Sequence, residues 1–114
     1  MLKWAIERDQ MYYKHDHTIK SQELEAIIVE QILAICVNGA RFNELKDAIQ
    51  KVASFSHYIL KKYLFYLIEY DIISYQGQNQ MYVITWEGLN LMYIINIGKR
   101  MRWSDTEDIV VCLE

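Results

Sequence analysis

Residues 56–85 read SHYILKKYLFYLIEYDIISYQGQNQMYVIT, and the apolar period changes once along them. Leu60, Tyr63, Leu64 and Leu67 recur at spacings of three and four, which predicts one buried face of a helix over about 56–70. After Asp71 the period falls to two. Ile72-Ile73-Ser74-Tyr75 reads as a strand, Gln76-Gly77-Gln78-Asn79-Gln80 as a turn, and Met81-Tyr82-Val83-Ile84 as the returning strand, a wing over about 72–84. Thr85 then caps a fourth helix over about 86–100.

Upstream, Leu24, Ile27, Ile28, Ile32, Ile35 and Cys36 mark a helix starting near Ser21, with Glu23 and Glu25 at the positive end of its dipole. Asn38-Gly39 stops it, because these residues tolerate the left-handed conformation. A short second helix follows from about Asn43 to Lys51, with Leu45, Ala48, Ile49 and Val52 as its apolar stripe and Asn43 as cap. Two tightly joined helices and a third running into a hairpin give a winged helix-turn-helix, α+β but mainly α, with a helix after the wing. The predicted organisation is an N-terminal arm or short helix over 1–20, the winged domain over 21–102, and an acidic tail over 103–114.

Composition bounds the rest. With 114 residues the chain is one domain, able to bury roughly two-thirds of its unfolded surface without metals or disulfides. No apolar run reaches the length of a membrane span, and Lys3, Glu7, Arg8 and Asp9 interrupt the start where a signal peptide would be apolar. Cys36 and Cys112 lack metal-ligand spacing and read as buried thiols of a cytoplasmic protein. His15-Asp16-His17 lacks the further ligands a metal centre needs, so neither metal nor cofactor is expected. No nucleophile–base pair, phosphate loop or zinc-protease motif is present, which argues against an enzyme and leaves no small-molecule substrate in view.

The net charge of −3 weighs against nucleic acid until the charges are located. Residues 1–104 hold all 12 Lys and Arg and 11 of the 15 acids, a surplus of one positive charge, so the acidity belongs to the last ten residues. Turning 100° per residue from an inward Leu60 and Leu64 places Tyr58, Lys61, Lys62 and Phe65 outward on the third helix. Ser56, His57, Tyr58, Lys61 and Lys62 are therefore the expected major-groove readers, with Gln78, Asn79 and Gln80 of the wing near the phosphates. Lys99-Arg100-Met101-Arg102 can serve the helix dipole alone. The fourth helix is apolar nearly all round, and one helix on a small domain buries a stripe, not a circumference. A homodimer through Leu89, Met92, Tyr93, Ile95 and Ile97 is the expectation, against the alternative that the arm or tail covers that face within one chain.

Several of these blocks are familiar as a set. Ile32-Leu33-Ala34-Ile35, Asn38-Gly39-Ala40-Arg41-Phe42-Asn43-Glu44-Leu45, Ser56-His57-Tyr58-Ile59-Leu60-Lys61-Lys62-Tyr63-Leu64, Tyr82-Val83-Ile84-Thr85 and Thr85-Trp86-Glu87-Gly88-Leu89 resemble the small archaeal winged-helix proteins, in order and spacing. Those include predicted transcriptional regulators, chromatin-associated proteins, and members from archaeal viruses and plasmids. The resemblance implies a DNA-binding regulator with a Leu-Lys-Lys-Tyr-Leu run on its recognition helix and a Thr-x-x-Gly turn opening the last one. The chain departs from that pattern in a wing without Lys or Arg, and in Tyr70-Asp71 where a glycine turn is common. The expected function is thus a sequence-specific double-stranded DNA-binding transcriptional regulator, a homodimer. The alternatives are a winged-helix module binding protein through Tyr58, Phe65, Tyr66 and the acidic tail, and a non-specific chromatin organiser.

Overall fold

The computed structural model describes residues 4–7, 10–13, 22–101 and 110–113. Their order is β1 (Trp4–Glu7), β2 (Gln10–Tyr13), β3 (Gln22–Glu25), α1 (Ala26–Cys36), α2 (Phe42–Gln50), α3 (His57–Glu69), β4 (Ile73–Gln76), β5 (Met81–Ile84), α4 (Trp86–Met101) and β6 (Val110–Leu113). From α1 to α4 this is the helix–helix–helix–hairpin–helix order of a winged helix-turn-helix.

α1 is the centre of the core. Ala26, Ile28, Val29, Ile32, Leu33 and Cys36 are all buried, so it is covered on most sides, by α2, α4, β5 and β6 among others. Gly39 ends it at φ +83, donating its N–H to Cys36 O at 3.0 Å. α2 starts one residue earlier than its sequence pattern suggests. Its N-cap is Arg41, whose N–H donates to Glu44 Oε1 at 2.8 Å, and Asn43 already lies inside the helix. Ser56 caps α3 by accepting the Ile59 N–H at 3.2 Å, and Leu60, Tyr63, Leu64 and Leu67 turn inward as the period requires. At the end of α3, Asp71 takes φ 58, the left-handed conformation for which glycine is the easier residue. That explains how Tyr70-Asp71 can stand in for a glycine turn: the Asp71 and Ile72 N–H groups close the helix on Ile68 O and Leu67 O.

The hairpin pairs Ile73 with Ile84 through Gln76 with Met81, and Gly77–Gln80 form the turn. Ala40 adds a third, single-residue strand. Its N–H donates to Tyr82 O at 2.9 Å and its carbonyl accepts the Tyr82 N–H at 2.7 Å, tying the start of α2 to the wing.

The termini differ from their sequence pattern. Within the stretch expected as an arm or short helix, Trp4–Glu7 and Gln10–Tyr13 form the antiparallel pair β1–β2, with Trp4 opposite Tyr13. The first helix starts at Ala26 rather than near Ser21, because Gln22–Glu25 is strand: Leu24 is buried between exposed Glu23 and Glu25, a period of two hidden inside a period of four. The apolar run of the expected tail, Val110–Leu113, is a strand between β2, which it parallels, and β3, to which it is antiparallel. Val111, Cys112 and Leu113 are buried, as befits an interior strand. Ser21, Ile109 and the tail acids Asp105, Glu107, Asp108 and Glu114 lie outside the described residues.

This second sheet changes the picture of α4. Leu91, Ile94 and Ile95 are buried within the chain, and β1 lies against the helix alongside α1. Ile95 therefore belongs to the core, not to a surface for a second copy. Lys99 is held by Glu30 of α1 at 3.0 and 3.1 Å, so it fastens the end of α4 to the central helix.

Candidate nucleic-acid interface

α3 presents the expected outward face. Tyr58 is 71% exposed and Phe65 59%, and Lys61 and Lys62 are exposed between them. Tyr66 is different: it is half-buried against the core, with its ring edge-on to Phe65 at 5.6 Å.

The first turns of α3 are organised by a residue of α2. The Phe42 ring meets His57 edge-on at 5.7 Å, and Lys61 Nζ lies 5.6 Å from its centroid. A cation over an aromatic face is attracted by the ring quadrupole, so Lys61 is partly engaged within the protein. Lys62 has no ion-pair partner among the described residues and is the cation of α3 most available to a phosphate. Around these helices, residues 41–70 hold five cations, Arg41, Lys46, Lys51, Lys61 and Lys62, against three acids, Glu44, Asp47 and Glu69, a surplus of two. The helix-turn-helix segment is thus locally basic within an acidic chain.

The wing tip carries Gln78, Asn79 and Gln80, all exposed, with Gln80 at φ 55. Gln80 also reaches a cleft of about 310 Å³ between the start of α2 and the wing, lined by Arg41, Phe42, Asn43, Tyr75, Gln80 and Tyr82. Phe42 is common to this cleft and to the contacts with His57 and Lys61, so the structure brings α2, the reading end of α3 and the wing together at one ring. Tyr75 and Tyr82 pack against each other across the hairpin, 4.8 Å between centroids. Burial, then neighbouring Tyr75 and Cys36, push the Tyr82 phenol above its ordinary range, so it stays a neutral donor at physiological pH. Sequence reasoning missed Arg41, Phe42, Asn43, Tyr75 and Tyr82 as site residues. Local periodicity carries no signal for them, since the Ala40–Tyr82 pairing that assembles the cleft is long-range.

Behind the face, the Tyr63 hydroxyl accepts the Glu25 N–H at 3.0 Å and joins α3 to the start of α1. Burial raises the Tyr63 phenol, and the hydrogen bond from Glu25 opposes that rise. Burial pushes the Cys36 thiol up to about 12, so it is a thiol and not a thiolate near neutral pH. The described residues contain no cluster of three or more metal-ligating side chains, and His15, Asp16, His17 and Arg102 lie outside them. No helix among the described residues is long and apolar enough to cross a membrane.

On the expected dimer face the residues divide. Leu89 and Tyr93 are exposed, Tyr93 by 64%. Met92 and Ile97 are half-buried, and Ile95 is buried. Trp86, 82% exposed, joins Leu89 and Tyr93 at spacings of three and four, an apolar stripe on the outer side of α4.

Compared with known families, residues 24–102 fit the family model described as winged helix-turn-helix. No curated protein and no solved structure gives a significant match.

Proposed function

Since the chain belongs to the winged helix-turn-helix family, whose domains bind DNA, we propose that it is a homodimeric, sequence-specific transcriptional regulator that binds double-stranded DNA in the cytoplasm. The observation that carries this reading is the solvent-facing side of α3, where Tyr58, Lys61 and Lys62 stand clear of the core on a locally basic segment of the chain. In the proposed complex α3 enters the major groove with Ser56, His57, Tyr58, Lys61 and Lys62 toward bases and phosphates. Gln78, Asn79 and Gln80 hydrogen-bond the backbone without adding charge. The mechanism is occupancy, and no catalytic step is involved. The buried, protonated Cys36 thiol suits a reducing compartment.

Binding is tested on a duplex selected from a random pool. Lys61→Ala with Lys62→Ala is expected to weaken it by about tenfold or more and to flatten the dependence of log affinity on log salt by roughly one to two units. Affinity and salt slope that survive the double change would remove α3 as the reader. Because Lys61 is engaged with Phe42, Lys62→Ala alone is expected to supply the larger share of the loss.

The dimer part of the reading rests on the Trp86, Leu89 and Tyr93 stripe, three large apolar side chains aligned on one face. A two-fold pair joined there would offer two recognition helices to half-sites about one helical turn apart. Light scattering is expected to return about twice the 13.7 kDa chain mass at micromolar concentration, and Trp86→Arg with Tyr93→Glu to return the single-chain mass. A single-chain mass for the unchanged protein would exclude the dimer.

A further inference from the structure

The proposed reading face is poor in cations and rich in exposed rings. Tyr58 and Phe65 project from α3, Tyr75 is 48% exposed on the wing, and a wing built of Gln, Asn and Gly adds no positive charge. A surface that held DNA by phosphates alone would need more cations and no exposed aromatics, which are costly to leave in water. The cleft beside it has the complementary chemistry. Phe42, Tyr75 and Tyr82 supply aromatic surface, Asn43 and Gln80 supply amides with paired donors and acceptors, and Arg41 supplies a fork for an anionic oxygen pair. Rings stack on any base, amides match base edges, and a guanidinium suits a phosphate. At about 310 Å³ the cleft is at the small end of ligand sites, on the scale of one nucleotide.

We infer that the cleft between the start of α2 and the wing is a site for a single nucleotide whose base is unpaired, its ring against Phe42, Tyr75 and Tyr82 and its phosphate at Arg41. This inference rests on the nucleic-acid reading above, but on neither its duplex part nor its dimer part. The nucleotide can be extruded from a strand or arrive free in solution; the chemistry recognised is the same. Through Phe42, which also touches His57 and Lys61, an occupied cleft would bear directly on the reading end of α3.

The experiment compares a blunt duplex, the same duplex carrying one unpaired nucleotide, and deoxyadenosine monophosphate, using anisotropy for the two duplexes and chemical shifts for the mononucleotide. The unpaired nucleotide is expected to tighten binding about tenfold, in line with the stacking of one base on aromatic side chains. Tyr75→Ala, at an exposed position, and Arg41→Gln are each expected to abolish most of that advantage, whereas Lys62→Ala should weaken both duplexes alike. Saturable shifts at the Tyr75, Gln80 and Tyr82 amides with the mononucleotide, without any gain from the unpaired nucleotide, would assign the site to a soluble nucleotide. Equal binding of the two duplexes together with no mononucleotide shifts would overturn the inference and leave the duplex reading standing. Binding of the unpaired-nucleotide duplex alone would do the reverse. An advantage that persists in both Tyr75→Ala and Arg41→Gln would place the unpaired base elsewhere and also overturn it.

Discussion

Val111→Asp is expected to abolish cooperative folding or to lower the melting temperature by more than about 15 °C, as read by circular dichroism. Val111 is fully buried in β6, paired with Met11 of β2 on one side and Leu24 of β3 on the other. The change forfeits the transfer free energy of the valine and places a carboxylate where no described residue offers a buried charge partner. Together these cost on the order of 4–6 kcal/mol, against a total stability of about 5–15 kcal/mol for a domain. The damage should also spread in a defined order. Among the described residues β6 is the strand that joins the β1–β2 pair to β3, and an isolated two-stranded pair is marginal in water. Amide exchange in milder variants, such as Val111→Ala, should therefore rise together in β2, β3 and β6 while α3 and the wing keep their protection. Glu23→Gln, exposed on β3, is the matched control and should stay within about 0.5 kcal/mol. A solvated acidic tail makes the opposite forecast, a silent Val111→Asp.

That contrast locates what the sequence makes legible. α3, the wing and the start of α4 are adjacent in the chain and differ in hydrophobic period, so residues 56–85 carry their own fold. The outward side of α3 follows from the same rotation that buries Leu60 and Leu64, and Tyr58, Lys61, Lys62 and Phe65 are where it puts them. The four-stranded sheet is a different problem. Its strands are four residues each and come from both ends of the chain, so their pairing is non-local and no strand announces its neighbour. Leu24 shows the ambiguity in one residue, since it fits a helical spacing with Ile27 and Ile28 and an alternation with Glu23 and Glu25 equally well. Missing that sheet has a direct cost at α4. Its all-round apolarity suggests a second copy, whereas β1 and α1 cover much of it and leave Trp86, Leu89 and Tyr93 as the exposed remainder. The cleft was hidden for the same reason, because it exists only once Ala40 pairs with Tyr82.

Gly88→Ala is expected to destabilise the protein by about 3 kcal/mol, an overpacking cost, and to lower the melting temperature by roughly 10–15 °C. The sign is the informative part. Inside a helix, alanine ordinarily outranks glycine by about 1 kcal/mol, so propensity alone forecasts a gain. Gly88 sits in the first turn of α4 without a positive φ, hence nothing about its backbone demands glycine. Space demands it. A Cβ there would overlap the Ile72 carbonyl oxygen and lie 2.5 Å from Ile84 Cγ1. The oxygen cannot retreat cheaply, because it accepts the Thr85 N–H at 3.1 Å and the Thr85 hydroxyl at 2.8 Å, while Thr85 Oγ1 accepts the Gly88 N–H at 3.2 Å. Thr85 and Gly88 thus act as a unit: the hydroxyl clamps the end of α3 to the start of α4, and the absent side chain lets the two backbones meet. This is a physical reason for the Thr-x-x-Gly spacing at Thr85-Trp86-Glu87-Gly88. Gly77→Ala is the comparison, since a Cβ at Gly77 meets nothing within 4 Å, and its effect should stay within about 0.5–1 kcal/mol. If the two alanines behaved alike in chemical denaturation, close approach at Ile72 would not be what fixes α4 against the wing.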